Sequence, residues 1–371
     1  MEFVKRAAQL ESQGRSIIHL SIGEPDFTAP ACVVAALETA ARAGITQYTP
    51  ALGLIELRQA ISQHYSQRWN VRIPASRIIV TAGASAALNL ACAALVDVGD
   101  EVLMADPGYP CNRNFVSAHD GVARPIAVDA HTRFQLTAEL VDAHWGSRTR
   151  GVLAASPANP TGTSIPFEEL GSIMEVVRRR NGFALVDEIY LGLSYYDCPR
   201  TVLEHGDDMV VTNSFSKFFS MTGWRLGWLV VPEVWVAAFE RLAQNLYICP
   251  SALAQHAALA CFSPAAMAQY DGRREAFRAR RDWLVPALRD LGFAVPAMPD
   301  GAFYVWVNCA PFGQDAQTLA DLLLDQAGVA IVPGADFSVN NPHDWLRVSY
   351  ATSMDNLKEA VARMHRYLGR R

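Results

Sequence analysis

The chain has 371 residues, 51% of them hydrophobic and 19% charged, with a formal net charge of −5 and a pI near 6.0. Such a length supports a large core with a smaller one beside it, and the acidic balance argues against a nucleic-acid partner, leaving the basic runs at 178–180 and 273–281 as solvated helix faces. The longest apolar runs fall short of the 18 residues a membrane span needs, and seven scattered cysteines without a CxxC read as reduced thiols of a cytoplasmic protein, not as a disulfide framework or a metal site.

In chain order, the first twenty residues carry charges throughout and predict an amphipathic helix followed by a strand, not a signal peptide. Short apolar runs then recur: "SRIIVTAG" (76–83), "DEVLMADPG" (100–108), "VARPIAV" (122–128), "RGVLAAS" (150–156), "GFALVDEIY" (182–190), "MVVTNSF" (209–215) and "RLGWLVV" (225–231). With helical stretches between several of them, these runs predict a three-layer α/β/α unit around a mainly parallel, seven-stranded sheet. Past residue 265 the texture changes to a long amphipathic helix, "FAVPAMPDGAFYVWVNCA", a helix at 315–327, the strands "VAIVPG" and "LRVSYA", and a last helix near 355–368. This is an α+β module. The expected division is a large domain of 31–265 and a small domain made from 1–30 together with 266–371.

Open α/β sheets hold ligands outside the carboxyl ends of their strands, and four strand ends here carry unusual residues. "TAGASAAL" is a glycine turn opening a helix near Ala84 and Ser85, where free N–H groups can cradle a phosphate or simply allow close packing. "DPGYP" puts Tyr109 in a rigid turn where its ring can stack on a flat ligand. "SPANPTG" puts Asn159 and Gly162 in a tight turn, which an Asx-turn also explains. "ALVDEIY" ends a strongly apolar run in Asp187 and Glu188, with Tyr190 two residues on. A carboxylate buried there needs a cation or hydrogen-bond donors, supplied either by a ligand nitrogen or by a core arginine.

Lysine usage sharpens the pattern. All but three of the 32 basic residues are arginines, and Lys217 is the one lysine far from the termini. A lysine is ordinarily a solvated surface residue. Here the apolar "NSFSKFFSMTGWRLGW" surrounds it, with Ser214 upstream and Arg225 downstream. A desolvated lysine amine loses basicity and can form a Schiff base, while arginine and serine can hold a phosphate. Cradle, stacking ring, buried aspartate and Schiff-base lysine together describe a pocket for pyridoxal 5′-phosphate.

From about Ser21 to the last helix the chain resembles the fold-type I, class I/II pyridoxal-phosphate aminotransferases of the aspartate/aromatic/alanine kind. The resemblance rests on "GEPDF" (23–27), "YTPALGLIELR" (48–58), "NPTG", "DEIY", "SFSKFFSMTGWRLGW", "PDGAFY" (299–304) and "RVSYA" (347–351), in that order. It implies that Lys217 carries the cofactor and moves the proton, that Asp187 pairs with the ring nitrogen, and that Asn159 and Tyr190 serve the ring's phenolic oxygen. It further implies that Tyr109 stacks on the ring and that Ala84, Ser85, Ser214 and Arg225 hold the phosphate. Tyr48 would reach the phosphate of a second subunit, making a homodimer, and Arg347 would clamp the substrate α-carboxylate with help from Gly23 and Asn159.

The activity so implied is amino-group transfer from an L-amino acid to a 2-oxo acid such as 2-oxoglutarate. Some aspartate-using relatives place a lysine where this chain has Ser85, and Phe27, Tyr109 and Tyr247 are candidate pocket residues, so a neutral or aromatic side chain is expected over aspartate. A β-C–S lyase of the same fold is the alternative. A cofactor-sensing module of a transcription regulator is disfavoured, because 371 residues leave no room for a DNA-binding domain beside this fold.

Overall fold

The computed structural model describes residues 2–369. Twelve strands follow one another along the chain. They are β1 (Ile18–His19), β2 (Ile78–Thr81), β3 (Glu101–Asp106), β4 (Val122–Ala127), β5 (Thr149–Ala155), β6 (Phe183–Asp187), β7 (Val210–Ser214), β8 (Gly227–Val230), β9 (Tyr304–Asn308), β10 (Val329–Ala330), β11 (Val332–Pro333) and β12 (Trp345–Ser349). Seven form one sheet in the order β2-β8-β7-β6-β5-β3-β4. All seven expected strands are present, and the pairing is parallel except at β8, which runs antiparallel to both β2 and β7. Every residue of β2, β6, β7 and β8 is buried, as expected of strands covered by helices on both faces. The edge strand β4 alternates exposed and half-buried positions up to the buried Ile126 and tolerates Pro125, which would break the ladder of a central strand.

The smaller α+β domain holds the antiparallel sheet β11-β12-β9 and a parallel pair, β1 with β10. The run "VAIVPG", expected as one strand, is two. Val329 and Ala330 pair with β1, whereas Val332 and Pro333 pair with β12. The chain changes partners at Ile331, which is itself fully buried. The helix Pro264–Asp290 runs through Pro286, and Phe277, Leu284, Val285 and Leu288 of it are buried in the main hydrophobic cluster. Among the described residues no helix is long and apolar enough to cross a membrane, and all seven cysteines are free.

The large sheet sets the site. The carboxyl ends of β3, β5, β6 and β7 lie side by side, so the turns that follow them share one rim. The antiparallel β8 returns toward β2, which brings the Arg225 turn to the start of the helix Ala84–Leu95. Gly227 permits this approach, because a Cβ there would lie 2.9 Å from the Ala84 nitrogen.

Candidate active site

A cavity of about 730 Å³ opens at this rim. Lys217, Asp187, Tyr190, Asn159, Tyr109, Arg225, Ala84, Ser85, Gly23 and Arg347 all line it. Segments as distant in sequence as 21–24 and 347 therefore meet in one chamber.

One end of the chamber suits an anion. The helix Ala84–Leu95 begins there behind Gly83, whose φ of +88° is open to glycine and costly for other residues. Gly83 is needed for a second reason: a Cβ would come within 2.5 Å of the Arg225 Nη2. Unpaired N–H groups of the first helical turn and a guanidinium thus converge with no side chain between them. Arg225 Nη1 is held by the Thr222 carbonyl at 2.9 Å and lies 3.5 Å from the Ser216 Oγ. Ser214 stands one layer back. Its hydroxyl donates to the Leu226 carbonyl at 3.1 Å and can accept from the Ser216 hydroxyl 2.9 Å away, and it is Ser216 that lines the cavity.

A second stretch of the wall is acidic. Asp187 closes β6 and its Oδ1 accepts the Ile189 N–H at 3.0 Å. Burial pushes its carboxyl up from 3.8 to about 6, against the opposing Ile189 hydrogen bond and the Lys217 charge. The neighbouring Glu188 faces away from the cavity, where it accepts the Val202 N–H at 2.7 Å and the Thr201 hydroxyl at 2.8 Å. Of the two carboxylates in "VDEIY", one is satisfied by the fold and the other is presented to the chamber.

In the same cavity the Lys217 Nζ donates to the Gly23 carbonyl at 2.6 Å. Burial pulls its amine from 10.5 down to about 8; Glu24 and Asp187 oppose this, and Arg347 and Arg225 add to it. Tyr190 and Tyr304 meet hydroxyl to hydroxyl at 2.9 Å. Asn159 Oδ1 accepts from Arg347 Nη1 at 2.9 Å, and Arg347 Nη2 donates to the Ser21 carbonyl at 2.7 Å. The Arg347 guanidinium carbon lies over the rings of Tyr304 and Phe337, 4.5 and 4.6 Å from their centroids. Its buried Nε has no acceptor among the described residues.

Phe27 and Tyr247 lie away from this cavity, and Tyr48 is expected at a second subunit. Tyr48 is 79% exposed and does not line the cavity of its own chain. Phe27 packs edge-on to Phe277 at 5.4 Å, and Tyr247 packs beside the cluster that contains Leu229 and Phe239. Of the three aromatic candidates for the substrate pocket only Tyr109 reaches it. Conversely, sequence reasoning left Ser216, Tyr304 and Phe337 without a role. Tyr304 ends the quoted "PDGAFY", so the motif signalled its place; Phe337 carries no local signal.

Residues 15–364 match the family described as aminotransferase class I and II. The chain is 40% identical to a Mycobacterium tuberculosis protein named valine–pyruvate aminotransferase, over 98% of this chain and 94% of that protein. It is 34% identical to the aspartate/prephenate aminotransferase of Thermus thermophilus, over 98% of this chain and 94% of the relative. Its structure superposes on a crystal structure of Thermus thermophilus aspartate aminotransferase with maleate at a TM-score of 0.93 and 32% identity, covering 98% of this chain and 95% of the other.

Proposed function

The chain belongs to the class I and II aminotransferases, and from that premise we propose that it moves the amino group of a neutral or aromatic L-amino acid to a 2-oxo acid such as 2-oxoglutarate, using pyridoxal 5′-phosphate carried on Lys217. The observation that carries this reading is the convergence of Lys217, Asp187, Arg225 and Arg347 on one cavity.

The residues fit the cofactor from end to end. A phosphate suits the N–H groups at Ala84 and Ser85, the Arg225 guanidinium and the Ser216 hydroxyl, with Ser214 orienting Ser216. A protonated ring nitrogen suits Asp187, a carboxylate that burial raises to about 6 and that a cation would therefore stabilise. Tyr190 and the Asn159 amide stand where the ring's phenolic oxygen would be served, and Tyr109 offers a ring to stack. When bound, the group supplies an electron sink that acidifies the substrate Cα–H. Lys217 Nζ, with its basicity drawn down to about 8, takes up and returns that proton at pH values where an ordinary lysine stays charged. Arg347, held by Asn159, Ser21 and two aromatic faces, presents its remaining donors to the α-carboxylate.

The cations lining the cavity are Lys217, Arg225 and Arg347. All three are taken by the cofactor and the α-carboxylate, so a distal carboxylate meets no partner from its own chain and a neutral side chain is favoured. The relative named for valine and pyruvate supports an apolar donor and adds pyruvate to the acceptors to be tried. Tyr48, exposed on the loop near Cys249, is assigned to the cofactor phosphate of a second copy, which makes the working unit a homodimer. The same reading divides the chain into 31–265 and 1–30 with 266–371, a division supported by the pairing of β1 with β10; residues 1, 370 and 371 of it lie outside the described residues.

The test is a screen of amino donors against several oxo acids, scored for the new amino acid and for ammonia. Equal exchange of amino groups is expected, fastest with neutral or aromatic donors. Ammonia released together with pyruvate would reject transfer in favour of C–S cleavage, and a clear preference for aspartate would reject the pocket assignment.

A further inference from the structure

Asp106 ends β3, is almost fully buried, and opens the "DPGYP" turn, in which only Tyr109 has so far been given a role. Its carboxylate faces a loop more than 230 residues away. It accepts the Asn340 N–H at 2.9 Å, the Val339 N–H at 3.1 Å, the Ser338 hydroxyl at 3.2 Å and the Asn340 side-chain amide. No arginine or lysine pairs with it among the described residues, so its charge is met by these donors alone. A backbone bond extends the connection, with Gly108 N–H donating to the Phe337 carbonyl at 3.0 Å. The turn 106–109 is thereby fastened to the loop 337–340.

Both sides of this fastening lead to the site. The turn carries Tyr109, and Phe337 is one of the two rings packed against the Arg347 guanidinium, its centroid 4.6 Å from the guanidinium carbon. We propose that Asp106 is a positioning residue for the substrate-carboxylate clamp: it latches the loop 337–340 of the small domain to the Tyr109 turn of the large one, and through Phe337 it fixes one face of Arg347. Among the described residues Arg347 makes its bonds through Nη1 and Nη2 alone, so its tilt about the line joining them is left to the rings it packs against. A ring that drifts with its loop lets the fork turn away from a planar carboxylate. The phosphate end of the cavity lies on other elements, around Ala84 and Arg225, and is not part of the latch.

The inference rests on the reading of Arg347 as the carboxylate clamp, and the experiment separates the two. Holoenzyme is titrated with butanoate, an unreactive monocarboxylate, followed by the cofactor's absorbance; cofactor dissociation and thermal stability are measured in parallel. Asp106→Asn removes the charge and leaves at least one donor without an acceptor. It is expected to weaken butanoate binding about tenfold and to raise the KM of donor and acceptor alike, with cofactor affinity kept within about twofold. Ser338→Ala, on the loop side, removes one donor and gives about a threefold loss, which keeps the test open should Asp106→Asn fold poorly. Combining Asp106→Asn with Phe337→Leu should add little to either alone, because both act through one face of Arg347. The latch is overturned if Arg347→Lys weakens butanoate while Asp106→Asn and Ser338→Ala do not. It is overturned equally if Asp106→Asn loosens cofactor and butanoate to the same degree. Butanoate binding unaffected by Arg347→Lys would instead reject the clamp itself.

Discussion

Asp187 is a charge stored for a partner, and the cofactor-free protein should reveal the strain. Burial raises its carboxyl from 3.8 to about 6. A carboxyl whose folded pKa is raised contributes stability that is full below the unfolded value and lost as pH climbs through the folded one. At pH 8 the ionised group therefore costs the cofactor-free fold about 3 kcal/mol, and at pH 5 roughly half of that. Asp187→Asn removes this dependence. Its amide can still accept the Ile189 N–H, but its own N–H groups have no assigned acceptor, a loss of about 1–3 kcal/mol at every pH. The absolute change at one pH mixes both terms, whereas the change between two pH values isolates the carboxylate. Denaturant unfolding of the cofactor-free wild type and variant at pH 8 and pH 5 should show the variant gaining roughly 1–2 kcal/mol relative to wild type on going from pH 5 to pH 8. With pyridoxal phosphate bound the order reverses: the variant loses the ion pair, and removal of the substrate Cα proton should slow about tenfold or more. A stability difference that is flat between the two pH values, or Cα-proton removal at the wild-type rate with the cofactor loaded, would refute the reasoning.

Lys217→Ala should abolish turnover yet keep noncovalent cofactor, and borohydride reduction of the wild type followed by peptide mapping should mark Lys217, with label on Lys5 or Lys358 counting against the assignment. Because the uncharged amine is the form that attacks the cofactor's carbonyl, capture of pyridoxal phosphate by cofactor-free protein should rise with pH and level off above about 8; a rise centred near 10.5 would mean the amine is not desolvated. Gly83→Ala forces a side chain onto Arg225 and costs about 1–3 kcal/mol for a positive-φ extended backbone that glycine alone adopts readily, so cofactor dissociation measured by absorbance should increase at least about tenfold. Mixing Tyr48→Phe with Lys217→Ala subunits under exchange should restore activity above either parent, since one pocket of the heterodimer is then intact; absence of recovery, with Tyr48→Phe itself impaired, would confine Tyr48 to its own subunit.

The sequence by itself determined the seven strands of the large sheet and the side chains at their carboxyl ends. Both are local matters: a buried parallel strand needs a continuous apolar run, and a residue that breaks such a run, as Asp187 and Lys217 do, stands out in the linear chain. Tertiary structure alone decided which neighbour faces the chamber. Asp187 and Glu188 are adjacent and alike in chemistry, yet one is presented to the cavity and the other is consumed by Val202 and Thr201. Ser214 and Ser216 differ in the same way, because the Leu226 carbonyl from the returning strand claims the first. Phe27 and Tyr247 pack into cores that no local pattern could assign, and "VAIVPG" splits where two different partner strands compete for it. The Asp106 fastening joins positions separated by 234 residues, and Arg347 meets Asn159 across 188. Periodicity reports how a segment meets its own environment, apolar or wet; which distant segment supplies that environment is set only when the whole chain packs.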